Sequence, residues 1–141
     1  MIIRVVLDTD VLVAAFRSRS GASRELLIAA LDARIVLLVS TALWLEYAAV
    51  LTRPSQLAAT RLSAAEVRDV LLALAKIAEP VPIHFLWRPV LTDAEDEHVL
   101  DLAMNGRADM LVTFNQNDFI EASKGFQIEV VLPSAALRRL T

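Results

Sequence analysis

Apolar residues along this chain fall into short unbroken runs separated by stretches of helical periodicity. Ile2 to Leu7 is apolar except for Arg4 and rich in Val and Ile, and Ile35 to Val39, Met110 to Thr113 and Ile128 to Leu132 are similar. A run that is apolar at every position, rather than at every second one, predicts a strand buried on both faces of a sheet. Between these runs, the alanines in Val11 to Phe16 favour helix, a loop follows over residues 17 to 23, and Arg24 to Ala33 reads as a short helix. Ser40 or Thr41 is placed to cap a helix running to about Thr52, where Arg53-Pro54 stops it. Ser63 and Glu66 form a capping-box pattern ahead of Val67, Val70, Leu71, Leu74 and Ile77, which recur at helical spacing. Pro80 and Pro82 end that helix and leave an extended segment through Phe85. Thr92 and Glu95 repeat the capping-box pattern before a helix to about Asn105, with Gly106 as its stop, and Pro133 opens a last helix to Leu140.

Strands alternating with helices, with no hairpin signal between them, predict an α/β fold with a central parallel sheet of four to five strands and helices on both faces. At 141 residues the chain is expected to form one domain, residues 1 to 141, around a single core.

Composition narrows the picture in three ways. With 56% hydrophobic residues and three glycines, disorder is excluded. The longest stretch free of charge is Ile35 to Leu45, well short of the roughly 18 to 20 residues a helix needs to span a bilayer. Only three apolar residues separate Arg4 from Asp8, which is no signal-peptide pattern, so a cytoplasmic location is expected. The absence of cysteine excludes disulfides and thiolate metal sites, and a net charge of -3 means that any polyanion must be bound locally.

The carboxylates supply the candidate chemistry. In an open parallel sheet the functional crevice lies beyond the carboxyl ends of the strands. Asp8 ends the first strand, and Asn115, Gln116, Asn117 and Asp118 follow Thr113 at the end of another. Glu46 shares a helical stripe with Leu43, Ala49 and Val50, and Asp96 shares one with Val99, Leu100 and Ala103. A carboxylate on a core-facing stripe is costly unless it is paired or holds a cation. Glu97 and Asp101 fall on another face and call for no special role. Acids gathered at one sheet edge are most simply reconciled by a divalent cation, and oxygen ligands alone favour Mg²⁺ or Mn²⁺ over Zn²⁺. Such a site activates water and stabilises charge on a phosphodiester under in-line attack, which is nuclease chemistry.

Ordinary structural roles compete with each of these readings. Asp8 and Asp10 sit where an N-cap is normal, Asp93 and Asp96 where first-turn acids offset a helix dipole, and Asn115 and Asp118 in a polar turn. Glu46 is open to pairing with an arginine. Arg17, Arg19 and Arg24 suit either RNA phosphates or a solvated loop. His84 and His98 lack a partner at metal-ligand spacing and read as structural, Trp44 and Trp87 as packing or partner residues, and Val67 to Ile77 as core with some capacity for a dimer or partner surface.

Three blocks, LDTDVLVAAF, STALWLEYAAVLTRP and DAEDEHVLDLAMNGRADMLVTFNQNDF, resemble in order those of the PIN-domain ribonucleases, and most closely the toxin components of prokaryotic toxin–antitoxin pairs. The ending VVLPSAALRRL is similar to that subgroup's closing strand and helix, and residues 55 to 91 carry the least likeness. The resemblance implies a metal-dependent ribonuclease in which Asp8, Glu46 and Asp96 are the first, second and third metal-binding acids, with Asp93 as a helper. Asn115 or Asp118 completes the shell or orients the attacking water, and Asp118 is the candidate fourth carboxylate. It also implies an RNA substrate, a small antitoxin partner and a homodimer. Two positions depart from the family: Asp10 stands where Asn is common, and Asn115 where Asp is. The second departure sustains an alternative, a PIN module that binds RNA or protein without cutting. A further alternative rests on Asp-Thr-Asp, which also resembles the first motif of haloacid-dehalogenase-type phosphatases, with Ser40 in place of their second motif.

Overall fold

A computed structural model describes residues 2–86, 96–124 and 127–140 of the chain. Its strands are β1 (Arg4–Leu7), β2 (Val36–Val39), β3 (Glu79–Pro80), β4 (Met110–Val112) and β5 (Glu129–Val131). They form one parallel sheet in the order β3-β2-β1-β4-β5. The α/β expectation therefore holds. Val5, Val6 and Leu7 are consecutive and all fully buried. Since successive strand residues point to opposite faces, both faces of the sheet are covered, which is what their unbroken apolar run encodes.

Eight helices are described: α1 (Thr9–Arg17), α2 (Ala22–Leu31), α3 (Thr41–Leu51), α4 (Pro54–Thr60), α5 (Ala64–Ile77), α6 (Glu97–Asn105), α7 (Gln116–Ser123) and α8 (Pro133–Arg138). The Ser40 cap is present, its hydroxyl accepting from the Leu43 amide at 3.1 Å. Ser63 and Glu66 make their capping box, and α5 buries Val67, Leu71 and Leu74 while Ile77 stays exposed. The pattern of Thr92 and Glu95 lies outside the described residues, as do Asp93 and Trp87.

Two helices and one strand are additions to the sequence reading. Arg53-Pro54 ends α3 as expected, but Pro54 also opens α4, because its fixed φ and missing N–H suit the first helical position. Asn115 to Asp118, read as a polar turn, lead into α7. The extended segment at Pro80 begins as a sheet edge, where a proline is tolerated, and Val81 donates to the Val39 carbonyl at 2.8 Å.

The two ends of the sheet do different work. At the amino end, the Arg4 guanidinium bonds Glu79 at 2.5 and 3.1 Å and the Gly106 carbonyl at 2.8 Å, tying β1 to β3 and the end of α6. A Cβ added at Gly106 would stand 2.9 Å from Leu38 Cδ1 and 3.1 Å from Val81 Cγ2, so this helix stop is also a point of close packing. At the carboxyl end, the chain winds outward from β1 through β2 to β3, then returns to place β4 on the other side of β1. That reversal makes the β1–β4 boundary the switch point of the sheet, where the crevice of such folds opens.

Candidate active site

Asp8 and Thr113 follow β1 and β4 at this boundary, held in register by the Asp8 amide on the Val112 carbonyl (2.9 Å) and the Thr113 amide on Val131 (3.0 Å). Asp8 is the N-cap of α1: Oδ1 accepts from the Thr9 amide at 2.9 Å, and Oδ2 accepts from the Thr113 hydroxyl at 2.8 Å. Capping thus coexists with a place in the crevice. Burial pushes the Asp8 carboxyl from its ordinary 3.8 up to about 6, helped by the charges of Asp10 and Glu46 and opposed by the Thr113 and Thr9 hydrogen bonds.

Asp10 sits in the first turn of α1 and organises the loop after β4. Its Oδ2 accepts from the Phe114 amide at 3.1 Å and the Asn115 side-chain amide at 3.2 Å. Its Oδ1 is buried with no hydrogen-bond partner among the described residues. Burial raises this carboxyl too, against the Phe114 amide, with Asp96 adding like-charge repulsion. The Thr113 hydroxyl accepts from the Asn115 amide at 3.0 Å, so the loop is bound to both aspartates. Sequence reasoning left the role of Asp10 open; the geometry makes it the hub of this loop.

Glu46 enters from α3. The face α3 buries consists of Leu43, Tyr47 and Leu51, while Ala49 is exposed and Val50 only half-buried. The stripe assigned to Glu46 from spacing is therefore rotated, because the sheet-facing side is set by Tyr47. Glu46 itself is half-buried; Oε2 accepts from the Thr9 hydroxyl, and Oε1 lies 3.4 Å from His98 Nε2. The neighbouring Tyr47 is fully buried and donates its hydroxyl to the Leu7 carbonyl, the last residue before Asp8. Burial, with the charges of Asp8 and Glu46, holds this phenol well above its ordinary value, so it stays a neutral donor.

Asp96 occupies the N-cap of α6, half-buried, with Val99, Leu100 and Ala103 buried on its helix as expected. Three other residues of α6 depart from the reading. Glu97 and Asp101, assigned to a wet face, are buried at 4% and 2% exposure. Nearly the whole of α6 is enclosed, so a single-stripe pattern misjudges it. His98, read as having no partner, faces Glu46; its identity so close to Asp96 was the available signal.

The remaining candidates lie further out. Asn115 is the N-cap of α7 and exposed, its side-chain amide committed to Asp10. Asp118 is exposed in the first turn of α7, its amide on the Asn115 carbonyl at 3.0 Å. Arg17, Arg19 and Arg24 line a cavity of about 650 Å³ together with Arg61, at the far end of α1 from Asp8. Trp44 is half-buried and meets Tyr47 edge-on, ring centres 6.3 Å apart.

The crevice thus collects carboxylates, with His98 beside Glu46. Among the described residues, no lysine or arginine contacts Asp8, Asp10 or Glu46, and threonine hydroxyls and amides supply most of their partners. Nor are three acids or histidines among the described residues drawn together closely enough to cage an ion. The donor set nonetheless fits a hard cation: all oxygen, one aspartate raised by burial and by like charge, and one buried carboxylate oxygen left unpartnered among the described residues. Asp8 and Glu46 could supply oxygens to such an ion, and Asp96 lies close enough to Asp10 to repel it.

Residues 4–117 match the sequence profile of the PIN domain. No characterised protein was found to match the chain. PIN domains are generally nucleases and typically bind divalent metals, and the match displaces the phosphatase alternative. No helix among the described residues is long and apolar enough to cross a membrane.

Proposed function

The chain belongs to the PIN domain family, and from that premise we propose that it is a Mg²⁺- or Mn²⁺-dependent endoribonuclease that hydrolyses RNA phosphodiester bonds. The observation that carries this reading is Asp8: a carboxylate buried near the like charges of Asp10 and Glu46, with no lysine or arginine against it among the described residues, in the crevice at the sheet's switch point. Asp8, Glu46 and Asp96 hold the ion in this reading, and Asp118 is its fourth carboxylate. A bound divalent ion supplies a water of lowered pKa and offsets charge on the phosphoryl oxygens.

The rest of the site positions these ligands. Thr113 and Thr9 fix the Asp8 carboxylate by donating to one oxygen each, and Tyr47 anchors the strand end that delivers it. The Thr9 hydroxyl and His98 orient Glu46. Asp10 holds the Phe114–Asn115 loop and occupies the Asn115 side-chain NH₂, so Asn115 orients water in this reading through its side-chain oxygen. Hydrolysis joins a water oxygen to phosphorus as one P–O ester bond breaks, and the four-arginine cavity offers the flanking RNA backbone a basic contact.

The likeness to toxin components supports a role as the toxin of a toxin–antitoxin pair, in the cytoplasm and as a homodimer, with residues 1 to 141 as one domain. Exposed Leu45, Leu72, Phe85 and Leu86 provide apolar area for an antitoxin or a second copy to cover. The test is cleavage of labelled RNA by purified protein with Mn²⁺. Activity that persists in excess chelator, or in Asp8→Ala and Asp96→Asn, contradicts the mechanism. One observation favours a second reading, a PIN module that binds without cutting: the Asn115 amide donates to Asp10 where the family often has an acid. RNA binding with no Mn²⁺ uptake distinguishes it.

A further inference from the structure

Beside the carboxylates lies a cavity of about 290 Å³ that the metal chemistry does not use. Phe114 lines it together with Ala14, Leu132 and Pro133 and the serines Ser18, Ser23 and Ser134. No charged residue lines it. Phe114 is 49% exposed, an unusual position for a phenyl ring, and Leu132 is 38% exposed. The backbone of Phe114 is fixed all the same, because its amide donates to Asp10 Oδ2 at 3.1 Å and the next amide donates to Thr113. The ring is therefore carried on a rigid loop one hydrogen bond away from an active-site carboxylate.

We propose that this cavity is a nucleobase subsite, in which Phe114 stacks on the base adjoining the scissile phosphate. The proposal rests on the ribonuclease reading and adds the residue that engages the base. An uncharged, largely apolar lining that includes three serines suits a flat heterocycle and does not suit a phosphate or a metal ion. Phe114 links the cavity to the carboxylates, lining the one while its amide bonds Asp10, which places a base seated there within reach of a nucleotide at the crevice. Single-stranded RNA is commonly held in this way, by bases stacked on aromatic side chains and hydrogen-bonded at their edges. The serines supply donors and acceptors for such an edge.

The test uses short single-stranded RNAs, one normal and one carrying an abasic ribose beside the cleavage site, with the wild-type chain, Phe114→Ala and Phe114→Trp. Cleavage is followed with Mn²⁺, and binding by fluorescence anisotropy in the Asp8→Asn background. Stacking predicts that Phe114→Ala raises KM and weakens binding by about 5- to 150-fold, with kcat changed less, and that Phe114→Trp restores both. The abasic RNA should lose as much with wild type and little more with Phe114→Ala. Cleavage with a KM indifferent to Phe114 overturns the subsite and leaves the nuclease reading standing. Binding that depends on Phe114 and on the base, without cleavage, does the reverse. If the loss on Phe114→Ala is equal for normal and abasic RNA, the ring contacts something other than a base and the proposal fails.

Discussion

Replacing Asp8 by asparagine should stabilise the metal-free protein at neutral pH. Its carboxyl is raised from 3.8 to about 6 in the folded state. A folded state that binds a proton more tightly than the unfolded chain loses stability as pH rises between those two values, and is level above about 6. Some two pH units at about 1.4 kcal/mol each amount to about 3 kcal/mol of strain. Because Asp8 is only 6% exposed, solvent screening reduces this little. Asparagine keeps the shape and removes the charge. Its Oδ1 can still accept from the Thr9 amide, but its NH₂ cannot accept from the Thr113 hydroxyl, a loss of about 1 kcal/mol. The net expectation is a gain of about 1–2 kcal/mol at pH 7.5 that disappears by pH 4. Urea unfolding in chelator at both pH values measures it. Adding Mn²⁺ should reverse the order, since ligand at 100 times its Kd stabilises the wild type by about 2.7 kcal/mol. A variant less stable than wild type at pH 7.5 in chelator, or a difference that does not change with pH, would refute the claim that like charge and burial strain Asp8.

Other substitutions separate positioning from scaffold. Thr113→Val removes the hydroxyl that steadies Asp8, and should weaken Mn²⁺ binding by about 10- to 100-fold in calorimetry while the fold survives. Tyr47→Phe leaves the Leu7 carbonyl without its donor and should cost about 1–3 kcal/mol in urea unfolding, with the pH dependence of Asp8 retained. Gly106→Ala forces a methyl against Leu38 and Val81 and should cost about 1–3 kcal/mol, seen as a lower Tm, with cleavage per folded molecule unchanged.

The parts of this protein most legible in its sequence were those written as runs and caps. Val5, Val6 and Leu7 announce a strand buried on both faces, and Ser63 with Glu66 announces a helix start, because each is a local pattern with a single physical solution. The place of Asp8 at the carboxyl end of β1 was legible for the same reason, as the charge that closes an apolar run. The orientation of α3 and the enclosure of α6 were not, since the face a helix buries depends on what it meets. Tyr47 claims the inward position beside Glu46, and α6 is covered around most of its circumference. The side chains of Thr9, Thr113 and His98 reach Glu46 and Asp8 through contacts spanning 37 to 105 residues, which no local pattern records. Asp10 looked like an anomaly because its partners, Phe114 and Asn115, arrive from the far side of the sequence.

The central claim is that Asp8, Glu46 and Asp96 are gathered to share a divalent cation. Calorimetric titration of Mn²⁺ into the purified chain, into Asp8→Asn and into Glu46→Gln tests it most directly. The account predicts saturable binding to the wild type that either substitution weakens at least about tenfold. Absence of Mn²⁺ binding to the wild type with RNA present, or binding untouched by both substitutions, would contradict it.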